Sequence, residues 1–354
     1  DCTSLTSITI PNSVTSISST AFINCTALTA INVASQNKNY ISENGVLFNK
    51  DKTELICYPG GKTDNHYEIP NSVTSIGSYA FYCCSKLTSI FISDSVSGKI
   101  AFRSCSNLTT IDVATNNVDF SSENGVLFDK NKTALICYPS GKTENSYNIP
   151  DSVTEIGSHA FEDCTSLKTV TIPNGVTYID YCTFSGCASL TSITIPDSVT
   201  LINHNAFSGC TSLESITIPD GVTEIRDDAF SGCTSLKSVT IPDSVTYIGG
   251  ETFSGCTSLT AINVATGNQY YASANGVLYN KDKTTILYYP VGKKDKNYKI
   301  PDGVTSIVSR TFKGCTNLTS ITIPDSVTYI GDYAFKNCTS LAGITIPDGV
   351  TEIN

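Results

Sequence analysis

The sequence predicts a repeat solenoid, mainly β: short coils stacked through a parallel sheet, with three β-hairpin or meander inserts. Three observations predict it. Cysteines recur every 23 residues, at Cys164, Cys187, Cys210, Cys233 and Cys256, and again at Cys2 and Cys25 and at Cys315 and Cys338. One apolar skeleton runs between them, clearest from Cys233 as C-T-S-L-K-S-V-T-I-P-D-S-V-T-Y-I-G-G-E-T-F-S-G. Three further cysteine intervals (Cys25 to Cys84, Cys105 to Cys164, Cys256 to Cys315) measure 59 residues, an excess of 59 − 23 = 36 each time. A constant period in the range of about 20–50 residues marks a stack in which each coil contacts only its neighbours. Residues 1–354 therefore read as a single solenoid rather than several globules.

The coil from Cys187 to Cys210 shows each element. Leu190, Ile193 and Ile195 alternate with Ser192 and Thr194, the period-2 pattern of a strand rich in β-branched residues. Pro196-Asp197-Ser198 ends it with turn chemistry, Pro fixing φ. Val199 and Ile202 predict a short extended segment on a second side. Ala206-Phe207-Ser208-Gly209 predicts a tight helical or 3₁₀ corner with the Phe inside. Eleven of the 15 cysteines hold one phase, three residues after that Phe wherever it is present. A residue at one phase of a stack points inward in every coil, where Cys acts as a small hydrophobe. A buried, reduced ladder is expected. Cys57 and Cys137 match each other inside inserts; Cys83 and Cys182 fall outside the pattern. The strands are parallel, and parallel crossovers are right-handed.

The inserts span about 32–67, 112–147 and 263–298 and are mutually similar, as in S-E-N-G-V-L-F-N-K-D-K-T-E-L-I-C-Y-P-G-G-K from Ser42. Asn-Gly between apolar runs (Asn44-Gly45, Asn124-Gly125, Asn275-Gly276) is a strong hairpin signal. A second polar turn follows, so each insert reads as a three-stranded antiparallel meander. The rival reading is an extra irregular coil, with Leu55-Ile56-Cys57-Tyr58-Pro59 imitating I-x-I-P. The inserts hold 11 of the 18 tyrosines and 12 of the 22 basic residues. Aromatic residues with polar tips suit binding surfaces. Tyr270, Tyr271, Tyr279, Tyr288, Tyr289 and Tyr298 make the third insert the candidate partner-binding site, with Lys293, Lys294 and Lys296 beside them. Some of these tyrosines must pack within the meander, leaving two or three exposed. Deleting 266–295 is expected to leave the flanking coils folded and to abolish most binding.

Charged residues make up 15% of the chain and the formal net charge is −10, which repels phosphate backbones and argues against a nucleic-acid partner. No apolar run reaches the length of about 18 residues that a membrane span needs. The chain starts and stops within repeats, so it reads as a fragment of a longer protein. His66, His159 and His204 are its only histidines, unrelated by the repeat. No G-x-S-x-G, H-E-x-x-H or paired C-x-x-C occurs, so the expectation is no enzyme and no cofactor. Asp197, Asp220 and Asp243 follow Pro in successive coils; they form a weak candidate column for calcium, which wants several oxygens. Asx-turn carboxylates facing water are the preferred reading of this column. Exposed Ser/Thr columns (Ser192 and Thr194, Ser215 and Thr217, Ser238 and Thr240) suit glycans, ordered water or ice, but strand propensity alone accounts for them.

The string L-x-x-I-x-I-P-x-x-V-x-x-I-x-x-x-x-F-x-x-C, as in Leu190 to Cys210 and Leu213 to Cys233, resembles the BspA-type (treponemal-class) leucine-rich repeat. The resemblance covers essentially the whole chain, departing at Ser93–Cys105, where the coil is two residues short. It implies a right-handed leucine-rich-repeat superhelix and a secreted or cell-surface bacterial protein that attaches to host, matrix or neighbouring cells through protein or glycan ligands. The expected state is a non-enzymatic monomer. A rigid spacer presenting another domain is the alternative.

Overall fold

The computed structural model describes residues 2–353. Their contacts form two compact units, one of residues 1–145 and 150–166, the other of residues 146–149 and 167–354. Both are built from parallel coils, and no helix forms among the described residues.

In the second unit Ser146–Asn148, Thr169–Thr171 and Ser192–Thr194 pair in parallel at an offset of one repeat, Thr169 opposite Ser192 and Val170 opposite Ile193. Tyr178–Ile179, Leu201–Ile202, Glu224–Ile225 and Tyr247–Ile248 form a second parallel ladder with the same offset. Alternation decides what faces inward. Leu190, Ile193, Ile195, Val199, Ile202, Phe207 and Cys210 are buried while Ser192 and Thr194 are exposed. The first unit repeats the arrangement with Ser7–Ile10 on Ala30–Val33 and with His66–Glu68, Ser89–Ile92 and Thr110–Val113 in one sheet.

The corner is not helical. Asn205 (φ 55°) and Gly209 (φ 74°) both take the left-handed conformation, which interrupts helical dihedrals twice within one turn. Alternate amides consequently point to different partners. Asn205, Phe207 and Gly209 donate to the Asp227, Ala229 and Ser231 carbonyls of the next coil at 3.2, 2.8 and 2.8 Å. Ala206, Ser208 and Cys210 donate back three residues within their own coil. The corner is thus a third hydrogen-bonded ladder. Its left-handed positions are also where Cys83 (φ 60°) and Cys182 (φ 53°) sit.

Phe184, Phe207, Phe230 and Phe253 stack face to face at 5.4, 5.4 and 5.8 Å. The cysteine phase is buried and reduced from Cys25 to Cys315, and most of its thiols meet a carbonyl of the preceding coil. Cys210, Cys233 and Cys256 donate to the carbonyls of Phe184, Phe207 and Phe230 in the preceding coil at 3.1, 3.2 and 3.1 Å. Threonines do the same outside the core: Thr200 Oγ1 donates to Thr177 O and Thr223 Oγ1 to Thr200 O, each at 3.2 Å. The short coil at Ser93–Cys105 keeps its place, since Phe81 and Phe102 still meet at 5.4 Å and Thr110 pairs with Ser89.

Each insert realises both readings of its sequence. Tyr271–Ala274, Val277–Asn280 and Thr285–Tyr288 are antiparallel neighbours, and the last strand also pairs in parallel with Ser306–Ile307. The first two strands are therefore a hairpin, while the third belongs to an extra irregular coil. The phase differs from the expected one. Leu55 lies opposite Ile76 in the second ladder, and it is Tyr67-Glu68-Ile69-Pro70 that stands in for I-x-I-P, Tyr67 opposite Ile90. Tyr58, Tyr138 and Tyr289 replace the Phe of the corner and pack on Phe81, Phe161 and Phe312 at 5.7, 5.2 and 5.2 Å.

Candidate functional site

The third insert is held by contacts that the sequence did not announce. Asn268 is wholly buried at its entrance. Its Nδ2 donates to the carbonyls of Pro242 (2.8 Å) and Val245 (3.0 Å), and its Oδ1 accepts from the amides of Tyr270 and Tyr271 at 2.8 Å. Asn37 and Asn117 make the matching contacts in the other inserts. Asn275 (φ 51°) and Gly276 (φ 77°) form the hairpin turn, where a Cβ on Gly276 would lie 2.9 Å from Ala261 Cα. Lysines then fasten the hairpin: Lys281 donates to Asn268 O, and Lys293 to Asn275 O at 3.0 Å while pairing with Asp295 at 3.3 Å. Much of the local basic character is therefore committed to internal carbonyls and carboxylates.

The six candidate tyrosines separate into three kinds. Tyr279 and Tyr289 are core residues, 1% and 2% exposed, and serve the insert rather than a surface. Tyr271, Tyr288 and Tyr298 are half-buried. Tyr271 Oη accepts from Ile248 N at 3.0 Å, Tyr288 Oη donates to Phe253 O, and Tyr298 Oη bonds to Tyr279 Oη at 2.7 Å. Burial pushes the phenols of Tyr271, Tyr279, Tyr288, Tyr289 and Tyr298 up. Tyr270 alone is exposed, at 53%. The surface of the second unit has further exposed aromatic rings that sequence reasoning passed over: Tyr247, Tyr329 and Tyr333. Arg226 lies 5.4 Å from the Tyr247 ring, and Arg310 and Lys336 lie 5.6 and 4.7 Å from that of Tyr333. These pairs use the left-handed or strand-edge positions of regular coils, so their signal is an aromatic–cation match between coils and not a local motif.

Beneath the third insert lies a cavity of about 210 Å³. The irregular coil turns more tightly than a regular one, because Tyr288-Tyr289-Pro290-Val291-Gly292 replaces the full corner. The coils before and after it are left facing each other across a notch. Phe253, Leu278, Leu287, Tyr288 and Val308 line the notch, and Glu251, Arg310 and Lys313 edge it. Glu251 Oε1 meets Arg310 Nε at 2.9 Å and its Oε2 meets Lys313 Nζ at 2.5 Å. The Lys313 and Arg310 cations hold the Glu251 carboxyl below its ordinary range.

The remaining candidates do not assemble. Asp197, Asp220 and Asp243 are exposed, and among the described residues their carboxylates do not converge as a ligand set. His66 Nδ1 and Ser89 Oγ share a hydrogen bond at 2.8 Å, His204 lies 3.4 Å from Asp227, and His159 meets Glu162 at 3.1 Å.

A profile of the BspA type leucine-rich repeat region matches the chain in six copies, over residues 1–58, 57–132, 136–260 and 292–354. The chain belongs to this family. Among solved structures, a leucine rich cell surface protein from Faecalibacterium prausnitzii is 32% identical, covering 90% of this chain and 79% of its own, with a TM-score of 0.56. The pneumococcal vaccine antigen PcpA is 24% identical over 92% of this chain and 79% of its own, TM-score 0.55, a likeness of fold. No curated protein matches. Within this BspA type array the unmatched stretch 261–291 contains the hairpin of the third insert and supplies Tyr271, Leu278, Leu287 and Tyr288 to the cavity.

Proposed function

We propose that the chain is a non-enzymatic interaction module acting outside the cell or at the cell surface, binding protein or glycan ligands on host, matrix or neighbouring cells. The observation that carries this reading is the extended likeness, at 32% identity, to a leucine rich cell surface protein. No helix of the described residues is long and apolar enough to cross a membrane. The binding face we assign is the third insert with its flanking coils: Tyr270, Tyr247, Tyr329 and Tyr333 offer the aromatic contact area that hot spots favour. A spacer would have no use for these exposed rings.

The test is a deletion chosen by register. Removing 264–299 excises 36 residues, returns Cys256 and Cys315 to a spacing of 23, and joins Ile262-Asn263 to Ile300-Pro301 as a regular I-x-I-P. Removing 266–295 would leave a spacing of 29 and break every downstream ladder. On an array of matrix proteins and glycans, the 264–299 deletion should lose most of the binding seen with the intact chain. Undiminished binding would move the site to the Ser/Thr strand face, and no binding by either form would favour the spacer.

A further inference from the structure

The notch under the third insert carries an inference distinct from the partner face, because the three inserts allow an internal comparison. Its floor is a product of the architecture. Ile248, Tyr271, Leu287 and Val308 line it, and the aligned residues Ile17, Tyr40, Ile56 and Gly77 line a cavity of about 270 Å³ in the first insert. Its edge is not such a product. Where the third insert has Glu251, Arg310 and Lys313, the first has Thr20, Tyr79 and Tyr82, and the fold closes equally well. The second insert has a charged edge as well, Arg103 meeting Glu162 at 3.3 Å, so charge here is a feature of two inserts and not a requirement of the fold.

Chemistry narrows what would enter. The walls present Phe253, Leu278, Leu287 and Val308, all apolar, and the space equals about seven waters at roughly 30 Å³ each. That is smaller than the range of about 300–1,000 Å³ typical of drug-sized ligands and fits one apolar side-chain-sized group. At the mouth, Arg310 and Lys313 face Glu251, with the Asp228 carboxylate near enough to act on Glu251 and Lys313. Arg310 reaches Glu251 through Nε, so that contact does not consume its Nη fork, the geometry suited to a second carboxylate. Glu251 and Arg310 both occupy left-handed corner positions (φ 53° and 63°) of the coils that flank the notch, which aims them at each other across it.

We propose that this notch binds a small apolar monocarboxylate: an aromatic or branched aliphatic group lodged against Phe253, Leu278 and Val308, its carboxylate received by Arg310 and Lys313. Such a group exists as a free organic acid and as the C-terminal residue of a polypeptide. The experiment titrates the full chain by calorimetry with 3-phenylpropionate, with its neutral amide, and with a short peptide ending in Phe, with free or amidated C-terminus. The acid should bind and the amide should bind at least tenfold more weakly. Binding of the free-terminus peptide at equal or greater strength assigns the polypeptide source; binding of 3-phenylpropionate alone assigns the free acid. R310Q and K313Q, both at half-exposed positions, should each weaken the acid at least tenfold while melting as the parent does. V308F, which fills the notch and leaves the charges in place, should abolish binding. Equal binding of acid and amide, no binding of any probe at millimolar concentration, or parental affinity in R310Q and K313Q together would overturn the assignment.

Discussion

Each coil depends on a few side chains whose environments predict their chemistry. Twelve of the 15 thiols are buried; Cys2 is exposed and Cys83 and Cys338 are half-buried. Native protein should therefore show one fast and two slow reactive thiols, the other twelve appearing only on unfolding, a count that thiol titration reads directly. Burial pushes Cys57 and Cys256 up to about 12. An acid whose folded pKa is raised stabilises the fold below its unfolded value, about 8.5 for a thiol, and that contribution is lost as pH climbs past it. Urea midpoints should accordingly fall from about pH 8.5 upward, and Cys256→Ala should flatten that decline; a midpoint insensitive to alkali in the parent would refute it. Phe207, fully buried between Phe184 and Phe230, should lose about 3–5 kcal/mol on replacement by Ala, while exposed Thr194→Ala should cost under about 1 kcal/mol. Equal shifts in the two melts would mean the coil faces the other way.

Among the elements, the inserts test how tightly a turn specifies a fold. Asn268→Ala would strand two carbonyls and two amides in a buried site, each unmet group costing about 1–3 kcal/mol. It should therefore destabilise the second unit by at least 3 kcal/mol or so, and hydrogen exchange should localise the loss to 266–283. Asn-Gly made the hairpin legible in the sequence because its geometry is local. The third strand was harder, since Leu55-Ile56-Cys57-Tyr58-Pro59 satisfies strand and coil alike and only pairing with Ser75–Ile76 decides its phase. Asn268 was illegible for the same reason: its four partners come from a different coil and from beyond its own turn. The corner was misread as helical because Ala-Phe-Ser-Gly has helical composition, whereas the amides there serve the neighbouring coil.

For the molecule as a whole, the repeat in the sequence was enough to give the coil, its inward residues and the family, because identical neighbours must present identical faces. It could not give the cavity, which exists only where a shorter corner meets two regular ones. Nor could it sort the tyrosines, since Tyr288 and Tyr289 are adjacent in sequence but differ in burial. The cysteine interval of 23 persists from Cys164 to Cys256, and on that ground we propose one continuous solenoid over residues 1–354. Solution scattering should give an elongated envelope, and a near-spherical one would refute this.

The insert contains one whole irregular coil plus a hairpin hung from it, so the polypeptide re-enters the stack in phase. Its 36 residues behave as a cassette. Genetic recombination between the three copies, or slippage between ordinary repeats, would add or remove complete turns without disturbing any residue's facing downstream. The length of such a protein is then free to drift in discrete steps while its cross-section stays constant, and a hairpin with the notch beneath it can be gained or shed as a unit.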